Sequence, residues 1–376
     1  MNDEPRAQQV TAGERASWSR QRERSTVVAG VRITSPDRLL YPEVGLTKLG
    51  LARYYASVAP RMLPYVVQRP LTLVRCPEGT AAACFFQRHA SEGFSEAVLR
   101  VPIEEEQGVA TYMAITSLAG LISLVQMDVL EVHVWGARLG ALETPDRLIF
   151  DLDPDPELPF MAVIDAARHV RDQLDALGLR SFVKTTGGKG LHVVAPLAPG
   201  EHSQSPSGGA DHPGQPAAGR LSSGAYHQNQ PAAGPASGGA DQPAQPPPEW
   251  SSGGGGQLDT PAAGPTWEEV RGLARAIAEA IARASPDRFT ASASRSERTG
   301  KIYIDYLRNS RGATSVAPFS TRRHAGAPVS MPLRWDELTP RLRANRYTAS
   351  NARQRLAALR GDPWEGFAEI RQSIAG

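Results

Sequence analysis

Hydrophobic and polar positions recur along this chain with readable periods, and the elements they predict alternate between strands and helices. VVAGVRI reads as a first strand, with order beginning near Val28, and SPDRLLYP as the turn behind it. Residues 47–63 set Leu51, Tyr54, Tyr55 and Val58 at helical spacing behind Thr47, a residue type that caps helices. LTLVRC (71–76) and VLEVHVW (129–135) read as strands. The apolar stretch from Tyr112 to Met127 reads as a buried helix, centred on 117–126. It carries Thr116, Ser117, Ser123 and Gln126, and it is shorter than the ~20 residues a membrane span needs.

The middle of the chain is the most legible part. DRLIFDLD (146–153) is expected to be a strand, ended by the three prolines of DPDPELP. Residues 160–177 put Val163, Ala167, Val170, Leu174 and Leu177 on one helical face, and Gly178 supplies the stop. LRSFVKT and LHVVAPL then read as strands joined by the glycine-rich turn TGGKG. Further on, Thr266 and Glu269 form a capping box ahead of a helix displaying Val270, Ala274, Ile277 and Ile281. KIYIDYL (301–307) reads as a strand, a basic loop follows, and NARQRLAALR and WEGFAEIRQSI read as C-terminal helices.

Composition changes this picture in two places. Residues 1–28 are polar and Arg-rich without periodicity, and 199–265 are dominated by Gly, Pro, Ala, Ser and Gln with near-repeats. Neither segment buries enough apolar surface to offset its ordering entropy, so both are expected to be disordered. Residues 29–198 and 266–376 are then expected to form a single catalytic domain, split in sequence by the insert. Charge decides little: 41 Lys+Arg against 39 Asp+Glu give +2 over 376 residues. The N-terminal stretch has no apolar core of the signal-peptide kind. Cys76 and Cys84 match neither a zinc spacing nor a disulfide framework, so a soluble protein in a reducing cytoplasm is expected.

Three features carry candidate chemistry. Asp151 and Asp153 stand two apart at a strand end and therefore share a face. Two carboxylates so placed repel each other unless a cation compensates, and hard oxygen ligands suit Mg²⁺ or Mn²⁺. Asp305, within KIYIDYL, is a third carboxylate that such a site would want. An exposed acidic turn or a calcium loop is the competing reading, although an EF-hand is excluded, because its Gly at position 6 and Glu at position 12 are missing. The second feature, TTGGKGLH (185–192), offers amide groups and Lys189 to phosphate, or is a plain hairpin turn. Third, Arg295, Arg298, Lys301, Arg308 and Arg311 surround Asp305, as a solvated basic face or as the partners of a polyanionic substrate.

FDLDPD, TTGGKGLHV and IYIDYLRN, in that order, resemble the archaeo-eukaryotic primase superfamily. The resemblance is closer to one branch, the polymerase domain of the bacterial non-homologous end-joining DNA ligases of the D type. DRLLYPEVGLTK (37–48), RPLTLVRCPEG (69–79), CFFQRHA (84–90), LISLVQMDVLEVHVWGA (121–137) and TSVAPFSTR (314–322) support it. It implies an α/β (α+β) fold, with a primase-like core of mixed and antiparallel sheets flanked by helices. It also implies a two-metal nucleotidyltransferase using Mn²⁺ or Mg²⁺ on Asp151, Asp153 and Asp305. Thr186, Lys189 and His192 would hold the triphosphate and sugar of an NTP or dNTP, with Arg298 assisting. Phe86 would stack on the base, with His133 near it. Arg38 and Lys48 would take the 5′-phosphate of a DNA gap or break. The implied activity is extension of 3′-hydroxyl ends in end joining or gap repair, near the nucleoid, with a Ku-like protein and a separate ligase as partners. De novo priming and a non-catalytic 5′-phosphate-binding module are the alternatives. Thr186 stands where the family usually has Ser, Arg38 where it commonly has Lys, and Ser35 where it often has Asn.

Overall fold

The structure, a computed structural model, describes residues 26–198 and 264–374. The expected Arg-rich arm and the 199–265 insert lie outside the described residues, apart from 26–28 and 264–265. Two short hairpins come first: β1 (Val27–Val28) with β2 (Val31–Arg32), and β3 (Leu39–Tyr41) with β4 (Leu46–Thr47). Helix α1 (Lys48–Val66) follows, then β5 (Leu71–Arg75), β6 (Phe85–Gln87), β7 (Val98–Glu105) and β8 (Gly108–Ile115). After α2 (Leu118–Gln126) come β9 (Val129–Trp135), β10 (Arg147–Pro154), α3 (Phe160–Ala176), β11 (Phe182–Thr185) and β12 (Leu191–Pro196). The last elements are α4 (Trp267–Ala284), β13 (Phe289–Thr290), β14 (Ile302–Asp305), β15 (Thr314–Val316), β16 (Pro332–Leu333) and α5 (Ala352–Ala357).

Strands β5 to β16 form two six-stranded sheets. One runs β15-β9-β5-β8-β7, with β6 also on β5, and every pairing in it is antiparallel. The other runs β13-β14-β10-β12-β11-β16, antiparallel except for the parallel β13–β14 pair. Helices α3 and α4 pack on each other and on this second sheet, and α1 packs on α2. The architecture is the mixed α/β arrangement of antiparallel sheets that the sequence implied.

Helix α1 forms as its pattern predicts: the Thr47 hydroxyl accepts the Gly50 amide at 3.0 Å, and Leu51, Tyr54, Tyr55 and Val58 are buried. It runs on through Pro60 and Pro64 to Val66 because the buried face continues through Met62 and Tyr65. Two of its tyrosines then fix a distant loop. Tyr54 donates to the Phe319 carbonyl at 2.7 Å, and the Tyr55 hydroxyl meets Thr321 Oγ1 at 3.1 Å. In α3, Val163, Ala167, Val170 and Leu174 are buried, but Leu177 is exposed, because the helix ends at Ala176. The Thr266–Glu269 capping box starts α4.

Several expectations are corrected. VVAGVRI is a hairpin and not one strand, since Ala29 (φ 50°) and Gly30 (φ 79°) turn the chain between β1 and β2. The stretch from Tyr112 divides: its first four residues end β8, and helix α2 starts only after Ser117, whose side chain accepts the Gly120 amide. The β7–β8 hairpin ahead of it is not predicted, because Pro102, disfavoured inside strands, falls on the exposed face of the edge strand β7. Cys76 and Cys84 form a disulfide with Cα atoms 4.4 Å apart. The reason is register: Arg75 pairs with Phe85, so the residues just outside that pair are brought opposite each other. The segment around WEGFAEIRQSI is a run of turns, broken at Gly366 (φ 83°), and Trp364 and Phe367 stack at 4.9 Å in the core instead of lying on a helix. No helix among the described residues is long and apolar enough to cross a membrane.

Two glycines test this account with opposite signs. A Cβ at Gly190 would lie 2.2 Å from the Leu152 carbonyl oxygen of β10, so Gly190→Ala should cost about 1–3 kcal/mol or more. A Cβ at Gly272, inside α4, meets nothing within 4 Å, so Gly272→Ala should stabilise by about 0.5–1 kcal/mol. Denaturant titration of both variants checks the pair; a neutral Gly190→Ala would refute the tight β10–loop approach.

Candidate active site

Strand β10 is flanked by β12 and β14, and its register sets the site. Asp151 pairs with His192 on one side and with Asp305 on the other. His192 Nε2 lies 3.2 Å from Asp151 Oδ1. Arg308, one turn beyond β14, lies 3.2 Å from Asp151 and 3.3 Å from Asp305. Asp305 is the last residue of β14 and not mid-strand as read; its Oδ1 accepts the Leu307 amide at 2.8 Å and the Tyr303 hydroxyl at 3.3 Å. Asn309 fixes this turn on β10, accepting the Ile149 amide and donating to the Ile149 carbonyl at 2.8 and 2.7 Å. Asp153, less buried, lies 3.8 Å from Lys189 Nζ.

Crowding of like charges shows in the ionisation of these groups. Burial and the neighbouring Asp151 carboxylate push Asp153 above its ordinary range, and burial does the same to Asp305. Burial pushes Asp151 up too, but His192, Arg308 and the buried Lys184 outweigh it and hold its carboxyl low. Burial beside Lys184 brings His192 down to about 4, so at neutral pH the ring is uncharged. The three carboxylates do not close into a preformed cage, and among the described residues no three His, Cys, Asp or Glu side chains gather as a metal-holding group. A guanidinium lies between Asp151 and Asp305 instead. The donor set nevertheless suits a hard divalent cation: oxygen ligands only, with Asp151 and Asp153 open to the cavity and Asp305 behind its wall.

The turn between β11 and β12 forms a second wall. Thr186 closes it: the amides of Gly188 and Gly190 each donate to Thr186 Oγ1 at 3.2 Å, and that hydroxyl donates to the Gly190 carbonyl at 3.1 Å. The Thr186 hydroxyl is therefore spent on shaping the loop. Lys189 donates to the Pro154 carbonyl at 3.1 Å, bending over Asp153. Asp151, Asp153, Thr186, Lys189, His192 and His133 line one cavity of 610 Å³. Arg308, Ser315, Arg322 and His324 line it as well; of these the sequence flagged only Arg308, among many basic neighbours. Phe86, 65% exposed, has its ring 6.4 Å from that of His133 and 5.8 Å from the Arg323 guanidinium. Arg298 does not line the cavity. It stacks on Tyr303 at 3.6 Å, behind Asp305.

A buried carboxylate that the sequence reading missed stands behind His133. Glu131, 2% exposed, accepts from His133 Nε2, Arg322 Nε and the Arg323 amide, each at 2.8 Å. Strand period would have found it, since Glu131 and His133 share a face of β9. Burial alone would raise its pKa; His133, Arg322 and the Arg323 amide bring it down to about 2. Burial also lowers His133, against Glu131.

Arg38 and Lys48 are brought together, but around an acid. Both pair with Asp128, Lys48 at 2.9 Å, and Lys48 donates to the Gln126 carbonyl at 2.6 Å. Arg38 is one-third exposed, whereas Lys48 is buried beneath it. Asp128 (φ 63°) ends α2 in the left-handed region, which turns its side chain back towards the two cations.

A family model described as the LigD primase-polymerase domain matches residues 47–212 and 245–364. The chain is 35% identical over 348 residues to the multifunctional non-homologous end joining protein LigD of Pseudomonas aeruginosa, covering 92% of this chain and 34% of that protein. With the protein of the same name from Mycolicibacterium smegmatis it shares 29% identity over 84% of this chain and 34% of the relative. The chain thus spans about a third of the length of these relatives. Among solved structures, the polymerase domain from Mycobacterium tuberculosis Ligase D in complex with DNA superposes with a TM-score of 0.69 at 28% identity, covering 91% of this chain and 99% of that one.

The depressed Glu131 pKa makes a linkage prediction. Its folded value of about 2 lies below the ordinary 4.5, so its contribution is complete above pH 4.5 and is lost as pH falls towards 2. The full span amounts to about 3 kcal/mol. Denaturation curves of wild type and Glu131→Gln should converge as pH is lowered through this window, and a stability gap independent of pH would refute the assignment.

Proposed function

Since the chain belongs to the LigD primase-polymerase domain family, we propose that it is a DNA-end-directed nucleotidyltransferase, extending 3′-hydroxyl ends with ribo- or deoxynucleotides during non-homologous end joining or gap repair. The observation that carries this reading is the meeting of two kinds of group in one cavity. Acidic oxygens of Asp151 and Asp153, with Asp305 beside them, face the glycine-rich loop and the cations Lys189, Arg308 and Arg322. A site with both is suited to an anionic substrate that brings its own divalent cations.

In this reading Asp151, Asp153 and Asp305 hold Mg²⁺ or Mn²⁺. When bound, such ions would lower the pKa of a 3′-hydroxyl and neutralise charge on a triphosphate. Neutral His192 donates its Nε2 hydrogen to Asp151 and so fixes the direction of that carboxylate. Lys189, Arg322 and Arg308 offset the charge of the departing pyrophosphate. Phe86 offers an exposed aromatic face to the incoming base, with His133 at its edge. Arg298 supports Asp305 through Tyr303. Arg38 takes the 5′-phosphate of a gap or break, with Lys48 beneath it and Asp128 setting both. A ligase and an end-binding protein of the Ku kind are the partners that such an activity calls for.

Removing a carboxylate tests the metal assignment. Asp151→Ala and Asp305→Ala should each reduce primer extension by more than the roughly 10–100-fold expected for an outer-shell partner. Their stabilities should differ in the absence of divalent ions. Asp305, whose carboxyl is held above its ordinary range, should cost less to remove than Asp151, whose carboxyl is held low and whose loss strips His192 and Arg308 of a partner. An Asp305→Ala protein extending primers at the wild-type rate would end the assignment.

The 5′-phosphate provides a separate test. A charge-assisted contact is worth roughly 1.5–3 kcal/mol, or about ten- to hundredfold in affinity. Gapped DNA with and without its 5′-phosphate, titrated at one fixed salt concentration, should bind wild type with a preference of that order. Arg38→Ala/Lys48→Ala should lose the preference while still extending a simple primer–template. Equal wild-type binding to both DNAs would favour a polymerase that does not read the downstream end.

A further inference from the structure

We infer that Glu131 is a positioning residue for the incoming nucleotide, acting from behind the cavity by aiming the guanidinium of Arg322 at the phosphates. This rests on the nucleotidyltransferase reading of the same cavity.

The backbone around Arg322 is already fixed. Thr321 donates its hydroxyl hydrogen to the Leu130 carbonyl and its amide to the Tyr55 hydroxyl, and the Arg322 carbonyl accepts the Tyr41 hydroxyl at 2.9 Å. What remains free is the direction of the side chain. Its Nε donates to Glu131 and its Nη1 to the Thr186 carbonyl, both at 2.8 Å. Nη2 has no partner among the described residues, on a side chain that lines the cavity. The stem is gripped as well: a Cβ on Gly187 would lie 2.9 Å from Arg322 Cγ, so the glycine-rich loop closes against it. Arg322 therefore bridges the two sheets, from β9 to the β11–β12 turn, with one nitrogen left to give.

Glu131 does not line the cavity, and it is too deeply buried to meet substrate. A carboxylate inside a strand is costly unless its partners require it. Its charge holds Arg322 in one rotamer, and a preorganised guanidinium binds phosphate without first losing side-chain freedom. Lys189 and Arg308 line the same cavity as Arg322, and these three cations mark the phosphate end of the bound nucleotide.

Isosteric Glu131→Gln separates this role from a purely structural one. Affinity for a nucleoside triphosphate, measured by calorimetry with Mn²⁺ present, should fall roughly 10–100-fold. Affinity for a nucleoside monophosphate and for phosphorylated gapped DNA should hold. The effect should vanish in an Arg322→Gln background: Glu131→Gln/Arg322→Gln should bind triphosphate no worse than Arg322→Gln alone. That double variant carries no unpaired buried charge, and Arg322→Gln alone leaves Glu131 its contacts with His133 and the Arg323 amide, so the comparison stands even if Glu131→Gln alone does not fold. Wild-type triphosphate affinity in Glu131→Gln, or full additivity in the double variant, would overturn the inference. Failure of the wild-type protein to extend primers would instead overturn the polymerase reading on which it rests.

Discussion

Two aspartates face each other across neighbouring strands, and much of the molecule is arranged around that fact. Asp151 and Asp305 are register partners on β10 and β14, so their negative charge cannot be moved apart without breaking the ladder. The surroundings compensate with charge from Arg308 in the turn after β14 and Lys184 deeper in the sheet, and with a polar contact from neutral His192 on β12, the register partner of Lys184. A buried acid pair is costly in a core unless neighbouring groups offset its charge. In the described state a guanidinium stands between the two acids.

Much of this was legible because the signals are local. The face of α3, the capping box of α4 and the strands at 129–135 and 146–153 each depend on residues within a few positions of one another. The residues singled out at Asp151, Asp153, Thr186, Lys189 and His192 gather on one cavity because they sit at the ends of antiparallel neighbours. What stayed hidden depends on pairings between distant segments. The cysteine bridge follows from the β5–β6 register, and the Glu131–Arg322 pair joins positions 191 residues apart. Arg298 and Arg308 are alike in sequence terms. Only the turn geometry separates the one that stacks on Tyr303 from the one that reaches the acids.

The pair Arg38 and Lys48 shows why counting cations misleads. On charge alone they make a doubly positive pocket, but Asp128 takes one unit of that charge and fixes their geometry. The exposed guanidinium is left as the group that a ligand meets first. Asp128 thus sets the direction of both cations as well as reducing their charge.

The separation of Asp151 from Asp305 along the chain also governs when the centre comes into being. The β10–β14 ladder is a non-local contact, and such contacts close late because the intervening chain must be brought together first. On the ribosome, β10, β11 and β12 emerge well before β14. Until then β10 presents an unpaired edge and a pair of acids with no opposing strand. A nascent chain therefore carries the glycine-rich loop without the complete carboxylate set, and it gains both the closed sheet and the Asp151–Asp305 pairing in one step, when the last third of the sequence arrives.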